Sequence, residues 1–221
     1  MKKLKMKSNE YEGILISFCG LDGCGKTTMI NKLCDEISDE KILFLTKQPT
    51  DFVRSSAIFR TYMDTENHDS YDYRSLSLLA ASDRLQHVNK IIIPELEKGK
   101  IVISDRYFYS CLANLHARGY EKDKWIYEIS ESVIKPDISF FINVPVETAV
   151  ERVRSRIDEK YRYIDMDLQY RLKDKYMEIC KKNGGVLLSS VVPPEETFSI
   201  INKKVREVME RKWKLKTKYM K

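Results

Sequence analysis

The residues Gly20-Leu21-Asp22-Gly23-Cys24-Gly25-Lys26-Thr27-Thr28 have the types and spacing that a polyphosphate requires. Gly20, Gly25, Lys26 and Thr27 occupy the fixed positions of the pattern G-x-x-x-x-G-K-[ST]. Backbone N–H groups must converge on phosphate oxygens, so the loop has to turn tightly enough to exclude most side chains, and Gly20, Gly23 and Gly25 permit that path. Lys26 places a point charge near the β- and γ-phosphates, and the Thr27 hydroxyl is a hard oxygen ligand for Mg²⁺. Asp22 would be costly beside phosphates unless it meets a cation or accepts a hydroxyl, so it is expected on the acceptor side. Cys24, close to Lys26 and to a helix N-terminus, is expected to be an oxidant-sensitive thiol.

A second constellation is Asp105-Arg106, delivered by the apolar run Ile101-Val102-Ile103. A carboxylate at a strand end can hold a metal-bound water, and a guanidinium can bridge two phosphoryl groups. A third is Glu151-Arg152-Val153-Arg154-Ser155-Arg156, where a continuous helix would put Arg152 and Arg156 on one face. That pair could neutralise charge on a transferring phosphoryl group, with Arg154 turned elsewhere. Lys47 and Arg84 are further candidate contacts to an anion or a base edge. His68, His87 and His116 lack metal-ligand spacing with carboxylates or thiols and are expected to be structural or surface residues.

The elements that must position these groups read as an α/β chain. Ile14 to Phe18 is a buried strand, and Met29, Ile30, Leu33 and Ile37 repeat at helical spacing after the glycine loop. Strand, loop and helix N-terminus come in the order that phosphate binding needs. Lys41 to Leu45 is a second strand stopped by Pro49, and a helix starts near Ser56. Asn67 to Ser70 is a polar break. A long helix runs from Tyr73 to about Leu96, kinked or ended by Pro94. Ile101 to Ile103 is the third strand; a helix covers Asp123 to Val133, and Ile138 to Val144 is the fourth strand. A helix starts at Pro145, and residues 152–167 read as a short lid that includes Tyr161, Arg162 and Tyr163. A helix over Leu168 to Lys182, a fifth strand at Val186 to Leu188 and a basic helix from about Thr197 complete the chain. Continuously apolar strands alternating with helices predict a five-stranded parallel sheet with helices on both faces, in a single domain spanning residues 1–221.

The net charge of +6 hints at nucleic acid until it is divided along the chain. The first ten residues carry four lysines against one glutamate, and residues 203–221 carry nine Lys/Arg against two Glu, so the stretch between holds −4. A nucleic-acid-binding domain would show its basic face within the folded elements, so none is expected as a partner. No apolar run is long enough for a membrane span, and MKKLKMK is not followed by a signal-peptide core, so a cytoplasmic location is expected. Five cysteines without paired C-x-x-C spacing suggest reduced thiols.

These motifs resemble the thymidylate kinase family. The resemblance runs from Ile16 to about Tyr176 and is carried by GLDGCGKTT, by LLAASDRLQHVNKIIIPELEKGKIVISDRY from Leu78 to Tyr107 with Ser110, and by PDISFFINVPVETAVERVRSR from Pro136 to Arg156. It implies transfer of a phosphoryl group from ATP to dTMP with Mg²⁺, by a protein commonly homodimeric. It assigns Asp22 to the sugar-hydroxyl side, Lys26 to the donor phosphates, Thr27 to the metal (with Asp105, by its strand-end carboxylate, a second candidate), Lys47 to the acceptor phosphate and Arg84 to the thymine edge. Asp105-Arg106-Tyr107, Ser110 and Asn114 fall to the acceptor region. Gly23 stands where some members carry a catalytic arginine, so Arg152 and Arg156 become the expected suppliers. Ala80 stands where the family stacks an aromatic ring on the base, and Asn114 stands at an aromatic position. Tyr73, Phe108 and Tyr109 are candidate replacements for the ring. These departures keep two alternatives open: a kinase for another nucleoside monophosphate or deoxynucleoside, and a non-catalytic nucleotide-binding protein.

Overall fold

The computed structural model describes residues 1–38, 42–66, 68, 70–160 and 162–219, with side chains to residue 212. Lys41, Asn67, Asp69 and Tyr161, and the last two residues of the basic end, lie outside the described residues.

The core is a parallel sheet of five strands in the order β2-β3-β1-β4-β5: β1 Ile14–Cys19, β2 Leu43–Lys47, β3 Ile101–Asp105, β4 Ile138–Asn143 and β5 Val186–Ser189. β1 lies at the centre with every residue buried, pairing Ile14 with Ile101 and Ile16 with Ile138. Strands covered on both faces must be apolar throughout, whereas the edge strands β2 and β5 each alternate with outward residues such as Leu45 and Leu187. Ser17 and Ser139, the polar exceptions in the middle, satisfy each other through a 2.9 Å hydroxyl–hydroxyl bond.

Helices cover both faces. α1 (Lys26–Ile37) follows the glycine loop. α2 (Asp51–Arg54) and α3 (Ala57–Asp64) follow β2, and Ser56 caps α3 by accepting from the Phe59 N–H at 3.3 Å. α4 (Tyr73–His87) passes through a π turn at Val88–Ile92 into α5 (Ile93–Glu97). The long helix expected from Tyr73 is therefore continuous, and the wide turn ahead of Pro94 accommodates the proline ring and its missing N–H. α6 (Phe108–Ala117) follows β3, and α7 (Trp125–Ser130) is shorter than the expected Asp123 to Val133. α8 (Val146–Arg154) follows β4, α9 (Met166–Asn183) precedes β5, and α10 (Pro194–Tyr219) ends the described chain. α10 starts earlier than expected because Pro194 opens it, its fixed φ suiting a first helical turn. α1 and α10 pack together on one face, against β1, β3 and β4, while α5 and α9 pack on β3 and β4 with α6 joining α9 to α4. Among the described residues no helix is long and apolar enough to cross a membrane.

Candidate active site

The C-terminal ends of β1, β2 and β3 open into one cavity of about 930 Å³. Ligands of open parallel sheets bind at that edge, because helix N-termini and strand-end loops converge there. The cavity is lined by nine Lys/Arg side chains against six Asp/Glu, counted from its lining residues, although the chain outside its basic ends is net negative. Positive charge is thus concentrated in the one place where a polyanion would sit.

The glycine loop forms one wall. Leu21, Asp22, Gly23, Gly25, Lys26, Thr27 and Thr28 line the cavity. Gly25 is left-handed at φ 97 and places the first turn of α1 against the loop. Lys26 Nζ donates to the carbonyls of Leu21 at 2.7 Å and Gly20 at 3.3 Å. Gly20 lies behind the loop, its carbonyl facing Lys26 and Arg106. Cys24 is fully buried, with its sulfur 3.8 Å from Lys26 Nζ, so the thiol expected to meet oxidants is shielded from solvent. At Gly23, φ is +78 and a Cβ would stand 2.1 Å from the Ala149 carbonyl of α8. A side chain has no room there.

The floor is Asp105 and Arg106. Arg106 is left-handed at φ 67, a conformation costing a non-glycine residue about 1–3 kcal/mol. Its side chain over-determines that geometry, donating to Gly20 O at 2.9 Å, Tyr176 Oη at 2.8 Å and Asp22 Oδ1 at 2.5 Å. Burial would lower its pKa, but Tyr176, Asp22 and Asp105 outweigh it, so the guanidinium stays charged. Burial likewise works against ionised Asp22; Arg106, Lys26 and Arg162 overcome it and hold the carboxyl well below the usual range. Asp105 Oδ1 is buried without a hydrogen-bond partner among the described residues. A carboxylate oxygen in that condition, with the Thr27 hydroxyl on the same cavity, is a donor set suited to Mg²⁺, which keeps waters and phosphate oxygens in its shell. No group of three or more His, Cys, Asp or Glu among the described residues could hold a metal.

The opposite wall comes from α2, α3, α4 and α6. Arg84 is buried, donates to Ala80 O at 2.9 Å and leaves Nε without a partner among the described residues. Lys47 does not reach the cavity: as the last residue of an edge strand it points outward, is 55% exposed and pairs with Asp51 at 3.4 Å. Arg54 lines the cavity where Lys47 was expected, its Nε bonded to Pro49 O at 2.8 Å. Burial, reinforced by the nearby charge of Arg106, lowers its pKa from the ordinary 12.5. Ser110 and Asn114 line the cavity but are engaged elsewhere. The Ser110 hydroxyl accepts from Tyr176, and Asn114 Nδ2 donates to Ser110 O while its Oδ1 accepts from Arg118 Nη1 at 2.9 Å. Arg118 is the cationic group of that pair, lying 4.1 Å from the centre of the Tyr73 ring. Tyr73, Phe59 and Ala80 all line the cavity, whereas Phe108 and Tyr109 are fully buried in the core and do not.

Segment 152–167 closes the remaining side. α8 ends at Arg154 and Arg156 is extended at φ −80, ψ 134, so Arg152 and Arg156 do not share a helix face as expected, yet both line the cavity. Arg152 binds Gly23 O, Ser190 Oγ and Ser190 O at 3.1–3.5 Å, clamping the glycine loop to the segment after β5. Arg154 does not line the cavity. Arg162 Nη2 reaches Asp22 Oδ2 at 3.1 Å and Nη1 reaches Glu159 at 2.9 Å. Sequence reasoning missed Arg54 and Arg118, and gave Arg162 no partner. For Arg54 the available signal was its place one turn after Pro49-Thr50.

A profile of the thymidylate kinase family matches residues 18–201. The chain is 36% identical over 185 residues to a protein named "Probable thymidylate kinase" from Thermococcus kodakarensis, covering 80% of this chain and 89% of that one. It is 30% identical to the thymidylate kinase of Prochlorococcus marinus strain NATL2A (91% of this chain, all of the relative) and 29% identical to that of onion yellows phytoplasma (89% and 99%). With the parallel sheet, the glycine loop and a match over most of its length, the chain belongs to the thymidylate kinase family.

Proposed function

We propose that the protein transfers the γ-phosphoryl group of ATP to the phosphate of dTMP, acting as one kinase domain with residues 152–167 as its lid. The observation that carries this reading is a complete phosphate loop facing an arginine-lined second wall across Asp105 and Arg106, in one cavity. ATP lies with its phosphates on the main-chain amides from Gly23 to Thr28, Lys26 turning from its own loop carbonyls to the β- and γ-phosphates. Thr27 and Asp105 would hold Mg²⁺, directly or through water, and the ion supplies charge neutralisation between the phosphates. On the opposite wall Arg54 receives the acceptor phosphate, Arg84 the base edge, and Tyr73 or Phe59 the base ring in place of the aromatic residue absent at Ala80. Asp22, released from one of its two arginines, accepts from the sugar hydroxyl.

An oxygen of the acceptor phosphate attacks the γ-phosphorus in line, and the bond to the β-bridging oxygen breaks, leaving its electron pair on ADP. Arg106, Arg156 and Arg162 spread the charge of the transferring group, while Arg152 holds the loop in place. Lid closure excludes water and so suppresses hydrolysis. Outward-facing Leu78 and Ile91 on the long helix support a homodimer, tested by sedimentation.

The deciding experiment offers ATP, Mg²⁺ and a panel of nucleoside monophosphates and deoxynucleosides, reading ADP release. dTMP should be the best acceptor. The second reading, a different acceptor, is favoured by Ala80 and by the Asn114–Arg118 pair, which replaces a ring with a charge; a better substrate than dTMP in the panel would establish it. ADP release unchanged by every acceptor would leave only a nucleotide-binding role.

A further inference from the structure

The segment leaving β2 is tied to α4 by buried polar contacts that the proposed reaction does not use directly. Asp83 is buried, and both carboxylate oxygens serve one residue: Oδ2 accepts from the Thr50 N–H at 2.8 Å and Oδ1 accepts from the Thr50 hydroxyl. One turn further along α4, His87 Nε2 stands 2.8 Å from Thr46 Oγ1 and Nδ1 stands 3.0 Å from Gln48 Nε2. A neutral ring protonated at Nε2 satisfies both, donating to Thr46 and accepting from the Gln48 amide. Asp83 and His87, four residues apart, share one side of α4 and face the segment from Thr46 to Thr50. The two segments meet along one seam.

That seam leads to the acceptor wall. Thr50 precedes α2 without capping it through its side chain, its hydroxyl being committed to Asp83. Its carbonyl accepts from the Arg54 N–H at 3.1 Å, and Arg54 Nε is held by Pro49 O at 2.8 Å. The placement of Arg54 is therefore set by Pro49 and Thr50, and theirs by Asp83. Arg84, on the same wall, is the very next residue of α4.

We propose that Asp83 and His87 are positioning residues that fix the separation of Arg54 from Arg84, and with it the span between the phosphate end and the base end of the acceptor site. This rests on the reading of Arg54 and Arg84 as acceptor contacts. A merely structural bond would lower stability without distinguishing acceptor from donor. A positioning bond changes acceptor affinity through Arg54 and leaves the donor loop, on the other wall, as it is.

Two measurements on the full-length protein test this. The first is hydrogen exchange of the amides of Asp51–Arg54 in Asp83→Asn, Thr50→Val and His87→Asn. Faster exchange there, with β1 and β3 unchanged and recovery in Thr50→Ser, is expected; unchanged exchange overturns the proposal. The second is kinetic. Asp83→Asn should raise the acceptor KM at least about tenfold while the ATP KM and kcat stay within about twofold, and should add under about twofold to Arg54→Ala. Independent, multiplying effects of Asp83→Asn and Arg54→Ala overturn it. If the wild-type protein phosphorylates no acceptor, the functional reading fails instead, and the exchange measurement alone decides whether Asp83 and His87 set Arg54.

Discussion

The two walls of the cavity are built in opposite ways. The glycine loop is one contiguous stretch between β1 and α1, and its polar groups satisfy each other: Lys26 is bound to two loop carbonyls and Arg152 holds a third. The facing wall draws Arg54 from α2, Arg84 from α4 and Arg118 from just past α6, and its buried Arg84 Nε has no partner among the described residues. A loop that is complete in itself binds a triphosphate tail common to many substrates. A wall assembled from distant segments, with donors left over, is where selectivity can be set, because an unpaired buried donor penalises any ligand that fails to meet it.

Several substitutions would break or sharpen that contrast. Arg106→Ala touches both walls and should lower kcat at least about 100-fold in steady-state assays, the scale of one transition-state contact. Turnover near normal would remove Arg106 from the reaction. Gly23→Ala should act on the loop side, costing about 2 kcal/mol in denaturant unfolding by overpacking against Ala149 and raising the ATP KM as the loop amides shift. On the facing side, Arg54→Ala should raise the acceptor KM about tenfold with ATP little affected, while Lys47→Ala should change either KM by less than about twofold. Equal effects of the two would restore Lys47 as an acceptor contact.

Smaller effects separate the walls by pH and by thiol access. Burial lowers the His87 pKa from 6.5, Arg84 adding to this against the opposing charge of Asp83. The unfolded chain then binds a proton that the folded one refuses, so the stabilisation is present above pH 6.5 and declines as pH falls below it. The unfolding free energy of wild type should fall faster than that of His87→Asn on acidification; parallel curves would contradict a neutral His87. Last, of the five thiols only Cys34 is not buried, so a native-state thiol reagent should modify it first and leave Cys24 intact until unfolding. Rapid labelling of Cys24 would show the loop to be more open than described.

Legibility in the sequence followed the same divide. The strands, their parallel arrangement and the loop were readable because central parallel strands are apolar throughout and the loop is local. α6 was not anticipated. Phe108 to Ala117 is buried on nearly every side between α4 and α9, so it has no polar face to give a helical period. Arg54 was missed because α2 is a single turn, too short for any pattern, and because Lys47 offered a charge nearer the expected place. The break after Arg154 separated Arg152 from Arg156 in a way that helical spacing alone could not reveal. Asn114 was read as a contact in its own right, whereas its amide serves Arg118, a partner one turn away.

The contact of Gly23 with the backbone of α8 also limits how this enzyme can change. Since the obstruction is a main-chain carbonyl and not a side chain that could rotate aside, no single substitution grafts a guanidinium onto the loop at that point. A designer, or a lineage, wishing to place a guanidinium in the cradle would first have to draw back the start of α8, and only then replace the glycine.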